Sequence, residues 1–204
     1  ARDLMLTELT QSRLHVCHVS TAGSVELIRQ AKLRGVQVSA EVTPHHLLLT
    51  EDRAGSYDPL FKVNPPLRKL SDVEALRAGL IDGTIDVIAT DHAPHPKESK
   101  DTDWASAAFG MVGLEAAYSI AQLVLIDSGK SNFERLAELL STSPASISGL
   151  TEQGNYLEVG KPANLTVVDP NFVFTSSAKT QSMSENNPYQ GQEFKGAIVH
   201  TIYS

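Results

Sequence analysis

The chain has 204 residues, of which 41% are hydrophobic and 20% charged, and its formal net charge is −7. This composition is typical of a globular protein with a sizeable core. The acidic balance disfavours nucleic acid and anionic membranes as partners, because both attract basic proteins. Apolar runs are too short for a membrane span, and the chain opens with no signal-peptide pattern. The single cysteine, Cys17, fits a reducing compartment, so we expect a cytoplasmic protein.

The first 150 residues predict an alternation of helices and strands. Apolar and small residues in period-two patterns predict strands at 14–19, 36–42 and 85–91. Helices are predicted at 2–12, at 25–34 with Ser24 as the cap, and from the S-x-x-E capping box at 71–74 to Gly83. The segment 47–66 and residues 97–103 read as loops. Further helices are expected at 114–126, at 132–140 after the cap Asn132, and from 143 to about Gly149.

The pattern changes near Thr151, where helical periodicity ends and Gly, Asn and Pro become frequent. Short strands are predicted at 165–168, 172–174 and 196–203. We therefore expect two units, an α/β unit over 1–150 with a parallel sheet and a small β subdomain over 151–204.

Polar residues gather where the predicted strands end. His18 follows the first strand, His45 and His46 the second, and Asp91 ends the third. In barrels and in open parallel sheets, active sites lie at the carboxyl ends of the strands. The pattern therefore predicts that His18 and Asp91 converge, although 73 positions separate them.

The stretch 85–95, IDVIATDHAPH, places Asp91, His92 and His95 at the exit of a buried strand. Such groups are costly to bury unless they are paired, hydrogen-bonded or bound to metal. A capped loop with surface histidines is the alternative reading. By strict alternation His15 and Cys17 face away from His18, so His15 is interpreted as structural and Cys17 as a buried apolar residue.

Five segments together resemble dihydroorotase of the bacterial class I type, a family of the amidohydrolase superfamily. They are HVCHVST, VSAEVTPHHLLLTED, KVNPPLR, IATDHAPH and AFGMVGLE. The tail GNYLEVGKPANLTVVDP resembles the flanking β-sandwich segment of the same superfamily. Allantoinases and hydantoinases share the histidine strand and the Asp-His-x-Pro turn. The turn at 64–68, together with His95 and the Phe109-Gly110 pair, is more similar to dihydroorotase.

The resemblance implies the C-terminal part of a (β/α)₈ barrel, about strands 6–8, followed by part of a flanking β-sandwich. His18 matches the sixth-strand metal histidine, and Asp91 matches the eighth-strand aspartate, which is both metal ligand and general base. The family's H-x-H pair, bridging residue and fifth-strand histidine have no counterpart in this sequence. The chain is therefore expected to be the C-terminal half of an enzyme, completed by a missing N-terminal half and inactive alone.

The resemblance also implies Zn²⁺, one or two ions per full-length subunit, and a substrate held by Asn64, His95, Phe109 and Gly110. His45 and His46 are not taken as ligands, since the matching histidine is the one in HVS. The implied reaction is the reversible cyclisation of N-carbamoyl-L-aspartate to dihydroorotate in pyrimidine biosynthesis.

Two alternatives and two partners stay open. The chain could belong to another cyclic amidase, a hydantoinase or allantoinase. It could also be a non-catalytic dihydroorotase-like partner subunit. A homodimer is expected, and aspartate transcarbamoylase is a candidate partner.

Overall fold

Three parallel strands, with helices between them, form the first part of the fold. The structure is a computed structural model that describes residues 1–177 and 180–203. Residues 178–179 and 204, which belong to the expected β subdomain, lie outside the described residues. The strands are β1 (Leu14–Val16), β2 (Val38–Val42) and β3 (Val87–Ile88), in the order β1-β2-β3. Both pairings are parallel, as the sequence predicts.

Eight α-helices are assigned among the described residues. They are α1 (Arg2–Thr10), α2 (Ala22–Leu33), α3 (Pro44–Leu48), α4 (Leu70–Ile81), α5 (Lys97–Lys100), α6 (Ala117–Gln122), α7 (Phe133–Ala137) and α8 (Ser143–Ser148). α5 and the last two residues of α3 lie in segments predicted to be loops, and 3₁₀ turns cover Glu51–Ala54 and Pro59–Phe61. Single π-helical turns, Leu123–Asp127 and Glu138–Thr142, follow α6 and α7.

Two predicted helix caps are wrong. Thr21, rather than Ser24, caps α2, because Thr21 is extended and its hydroxyl oxygen accepts a hydrogen bond from the Ser24 N–H. The capping box at 71–74 does not open α4, whose N-cap is Lys69. The Asp72 carboxylate inside this box instead accepts the Ala22 N–H at 2.8 Å, which joins the starts of α2 and α4.

Two other helix ends agree with the sequence. The Asn132 side chain accepts the Arg135 N–H at 2.9 Å and caps α7. Gly149 ends α8 with a φ of 72°, in the left-handed region that glycine tolerates best. Local hydrogen bonding at both positions needs no distant partner, so the sequence alone was sufficient.

The C-terminal segment forms one long hairpin rather than three short strands. β4 (Leu165–Thr175) pairs antiparallel with β5 (Glu193–Ile202). The predicted strands at 165–168 and 172–174 are both part of β4, with an irregular register between Asp169 and Val173. The hairpin packs on α6, where the Ser119 hydroxyl donates to the Gly196 carbonyl at 2.6 Å.

One hydrophobic core joins the parallel sheet, the helices and the hairpin. The fully buried members include Ile28, Ala40, Leu76, Leu80, Ile85, Met111, Ile120, Leu125 and Leu139. Phe194 of β5 belongs to the same cluster. Among the described residues, no helix has the length and apolar character needed to cross a membrane.

Candidate metal and substrate site

His18 and Asp91 follow the carboxyl ends of β1 and β3. His18 Nε2 lies 3.7 Å from Asp91 Oδ1, so the predicted convergence is confirmed. A hydrogen bond between them would be shorter. Two ligands of one tetrahedral zinc ion, each about 2.0–2.2 Å from the metal, stand roughly 3.4 Å apart. The 3.7 Å distance lies within the range of an ion pair and is also close to the spacing of two zinc ligands.

Both residues have a left-handed backbone, which is uncommon for residues other than glycine. The φ angle is 52° at His18 and 45° at Asp91. β1 consequently ends at Val16 rather than at residue 19. A residue held in this region at a strand end is typical of functional sites.

Glu41 of β2 joins two histidines and was missed as a site residue in the sequence. Its Oε1 lies 2.8 Å from His18 Nδ1, and its Oε2 lies 3.0 Å from His15 Nε2. Among the described residues, the contact between Glu41 Oε1 and His18 Nδ1 has the distance of an ion pair, but its angles are not those of a hydrogen bond. A carboxylate there favours the proton on Nδ1 and leaves Nε2 free to bind a cation.

The predicted separation of His15 and Cys17 from His18 is wrong. The left-handed φ of His18 breaks the alternation and turns its ring toward Glu41, which His15 also contacts. Leu14 and Val16 pack against the core instead. Cys17 is exposed, not buried.

His15, Cys17 and Glu41 form a second group that could hold a metal. Their ligand atoms all lie within 4.8 Å of one another. Imidazole, thiolate and carboxylate are the usual ligands of zinc. Partial desolvation of the thiol, followed by the charge of Glu41, raises the pKa of Cys17 although the residue as a whole is exposed. Since the thiol favours its neutral form, a metal would have to displace its proton.

His45 and His46, the pair following β2, are both buried. His46 Nε2 lies 3.0 Å from the Pro65 carbonyl, and Nδ1 lies 2.7 Å from the Thr43 hydroxyl. Burial lowers the pKa of His46 to about 4 and that of His45 well below its usual value. Neither ring nitrogen of His45 has a hydrogen-bond partner among the described residues.

The predicted substrate residues His95, Phe109 and Gly110 are brought together by one contact. His95 Nε2 lies 2.8 Å from the Phe109 carbonyl. A carbonyl only accepts, so Nε2 carries the proton. Gly110 has a φ of 127°, and a Cβ there would lie 2.5 Å from the Ala93 Cβ, so only glycine fits.

Asn64 is exposed and precedes a cis peptide bond to Pro65. It lies near the same loop, because the Gly110 N–H donates to the carbonyl of Lys62, two residues before Asn64. The His92 ring, by contrast, is hydrogen-bonded to backbone N–H groups. Its Nδ1 accepts the N–H groups of Gly113 and Leu114.

Two buried lysines hold the loop that contains Phe109 and Gly110. Lys62 Nζ donates to the Ala105 and Ala107 carbonyls, and Lys100 Nζ donates to the Ala108 and Gly110 carbonyls. Burial, with the nearby Lys62 charge, lowers the pKa of Lys100 to about 8. Neither lysine could be recognised from the sequence, because a lysine in a polar segment is expected to be exposed to solvent.

A known protein family matches nearly the whole chain. Residues 5–204 match the model of the amidohydrolase family, and the chain belongs to that family.

Relatives within the family are similar over the whole chain. A dihydroorotase of Streptomyces coelicolor is 53% identical over 98% of this chain, and one of Mycobacterium tuberculosis is 45% identical over 99%. The L-hydantoinase (dihydropyrimidinase) from Arthrobacter aurescens has a similar structure, with a TM-score of 0.91 and 33% identity over 99% of this chain. The chain spans about half of these proteins, 47% of each dihydroorotase and 46% of the hydantoinase.

Proposed function

We propose that this chain is the C-terminal part of a dihydroorotase. The observation that carries the proposal is the approach of His18 Nε2 to within 3.7 Å of Asp91 Oδ1 at the ends of two parallel strands. The similarity to dihydroorotases at 45–53% identity supports this substrate over others. The complete protein would convert N-carbamoyl-L-aspartate to dihydroorotate reversibly.

His18 and Asp91 fit a zinc ion by the chemistry and spacing of their ligand atoms. Glu41 would orient the His18 ring, as carboxylates commonly do for metal-bound histidines. When bound, zinc lowers the pKa of a coordinated water and polarises a carbonyl group. One or two ions would bind per full-length subunit, and the remaining ligands would come from the rest of the protein.

Asp91 is proposed as the general base and acid. In the hydrolytic direction its carboxylate takes a proton from the attacking water and then delivers it to the ring nitrogen that leaves. The Asp91 side chain is partly exposed, which leaves room for a reactant beside it. His18, held by Glu41, faces the same carboxylate.

His95, Asn64 and the Phe109-Gly110 pair are proposed to hold the substrate. With Nε2 donating to the Phe109 carbonyl, protonation of His95 at Nδ1 gives a cation that can pair with the substrate carboxylate. The Asn64 amide offers both a donor and an acceptor to a ring amide. Gly110 lets the backbone approach closely.

The proposal includes the larger architecture. β1, β2 and β3 would be strands 6–8 of a (β/α)₈ barrel within 1–150, and 151–204 would be part of a β-sandwich. β1 and β3 each have one edge without a strand partner in the described sheet, which the N-terminal half would cover. We propose that the chain alone is inactive, and that the complete enzyme is cytoplasmic and dimeric, with aspartate transcarbamoylase as a candidate partner.

The test uses the complete polypeptide that contains this chain, loaded with zinc. D91N should lower kcat for dihydroorotate hydrolysis about 100-fold or more, the usual contribution of a general base. D101N is the matched control, since Asp101 is 74% exposed and pairs only weakly with Lys97 at 4.0 Å. Zinc content is measured in both variants. Full activity of D91N would refute the role of Asp91 as the general base. Activity of the isolated 204 residues would refute the proposal that the chain alone is inactive.

A second candidate, a hydantoinase, is favoured by the similarity to solved hydantoinases. The two differ in the carboxylate that dihydroorotate carries. If the protein is a dihydroorotase, H95Q should raise KM for dihydroorotate about tenfold or more by removing a charge-assisted contact, with little effect on any hydantoin turnover. Faster wild-type hydrolysis of hydantoin than of dihydroorotate would favour the second candidate.

A further inference from the structure

Asn186 lies in the segment between β4 and β5, far in sequence from the site, yet it contacts both substrate loops. Its Oδ1 accepts the His95 N–H at 3.2 Å. Its Nδ2 donates to the Ala93 carbonyl at 2.8 Å and lies 3.4 Å from the Gly110 carbonyl. Its own carbonyl accepts the Val112 N–H at 3.0 Å. One residue thus joins the segment 93–95 to the segment 110–112.

The orientation of the Asn186 amide follows from its partners. A backbone N–H can only donate and a backbone carbonyl can only accept, so the oxygen must face His95 and the nitrogen must face Ala93 and Gly110. Asn186 is 5% exposed. An unpaired polar group at this depth is costly, and the three contacts use both ends of the amide.

The segments that Asn186 joins carry groups proposed above to hold the substrate. The His95 backbone N–H is fixed directly, and the Gly110 carbonyl is held from one side by Asn186 and from the other by Lys100 at 2.9 Å. The Gly110 N–H donates to the Lys62 carbonyl. Asn186 is the member of this set that comes from the C-terminal hairpin region.

We propose that Asn186 is a positioning residue that holds the His95 and Phe109-Gly110 loops in register for substrate binding. The inference rests on the proposed function for its effect on the substrate. The contact that ties the loops together is independent of the substrate. It also gives the C-terminal segment a role in substrate binding, through side-chain and backbone hydrogen bonds rather than through direct contact with the substrate.

The adjacent Asn187 offers a matched control. It is 3% exposed, its Oδ1 accepts the Tyr189 N–H, and its Nδ2 donates to the Ser176 hydroxyl and the Ser177 carbonyl. These partners all lie in the C-terminal segment. An Asn→Asp change at either position keeps the accepting oxygen, removes the donor and places a carboxylate against oxygen atoms. The two variants therefore differ mainly in which loops lose their contact.

The experiment compares N186D and N187D in the complete zinc-loaded protein. Backbone amide hydrogen exchange of 93–112 should be at least tenfold faster in N186D and unchanged in N187D. KM for dihydroorotate should rise about tenfold or more in N186D, with kcat changed less than threefold, because the loops bind substrate before and during reaction. N187D should leave both parameters within about twofold of wild type. N186S, which can still donate, should recover part of the loss.

Unchanged exchange of 93–112 in N186D would overturn the proposed positioning role. Faster exchange with an unchanged KM would overturn the link to substrate binding, as would an equal rise of KM in N187D. A wild-type protein that fails to hydrolyse dihydroorotate would refute the proposed function instead. The exchange rates would in that case still decide whether Asn186 joins the two loops.

Discussion

Acidification is expected to destabilise the protein through His46, whose ring is neutral in the folded state. The Pro65 carbonyl can only accept, so Nε2 carries the proton and Nδ1 accepts the Thr43 hydroxyl. Burial is the main cause that lowers the pKa of His46 to about 4. In the unfolded chain the imidazole titrates near its ordinary pKa of about 6.5.

The direction in which pH changes the free energy of unfolding follows from proton linkage. Between about pH 6.5 and 4 the unfolded state binds a proton that the folded state does not, so the free energy of unfolding falls as the pH falls. Each pH unit in that window costs up to about 1.4 kcal/mol, so His46 alone accounts for roughly 3 kcal/mol. His45, whose pKa is also lowered by burial, acts in the same direction.

The assay is urea unfolding of the wild type and of H46Q from about pH 7 to about pH 4.5, followed by circular dichroism. H46Q should be less stable at neutral pH but should lose less stability on acidification, because glutamine does not titrate. H200Q is the control, since His200 is exposed on β5. Identical pH slopes for the wild type and H46Q, or a wild type that gains stability on acidification, would refute the reasoning.

Three further predictions concern packing and ligand orientation. In urea unfolding, G110A should lower the free energy of unfolding by about 1–3 kcal/mol, since φ is 127° and a Cβ there would lie 2.5 Å from another side chain. The same variant should raise KM. The control G23A, which has open space at its Cβ, should be neutral or stabilising in the same titration. E41Q should weaken zinc binding about 10–100-fold by removing the charge that orients His18, measured by chelator competition, and full retention of affinity would contradict this role. L139A should cost about 2–5 kcal/mol in urea unfolding, because Leu139 is fully buried, and a loss below about 1 kcal/mol would show that the site collapses around the cavity.

The convergence of His18 and Asp91 was predictable because parallel strands end at a common edge, whatever their separation in sequence. The side on which His18 lies was not predictable. Alternation assumes extended backbone, and the left-handed φ at His18 violates that assumption. His15 was therefore placed on the wrong side relative to His18, and the contact of both histidines with Glu41 was missed.

Local capping was predicted correctly at Asn132 and wrongly at Ser24. In the second case Thr21, which the sequence analysis did not consider, is the cap, because its backbone is extended and its hydroxyl accepts the Ser24 N–H. Asn186 could not be predicted, because its partners lie 91 and 76 positions away. A hydrogen bond between such distant positions leaves no pattern in one sequence.

The left-handed backbone at His18 and Asp91 has a geometric consequence for the width of the site. β1 and β3 lie on either side of β2, so two inter-strand spacings of about 4.8 Å, nearly 10 Å in all, separate their axes. The facing side-chain atoms are nevertheless only 3.7 Å apart. Both side chains must lean inward across the end of β2, and the two positive φ angles supply that tilt. The distance between the two facing atoms therefore depends on the backbone torsions of His18 and Asp91 as well as on the spacing of the strands.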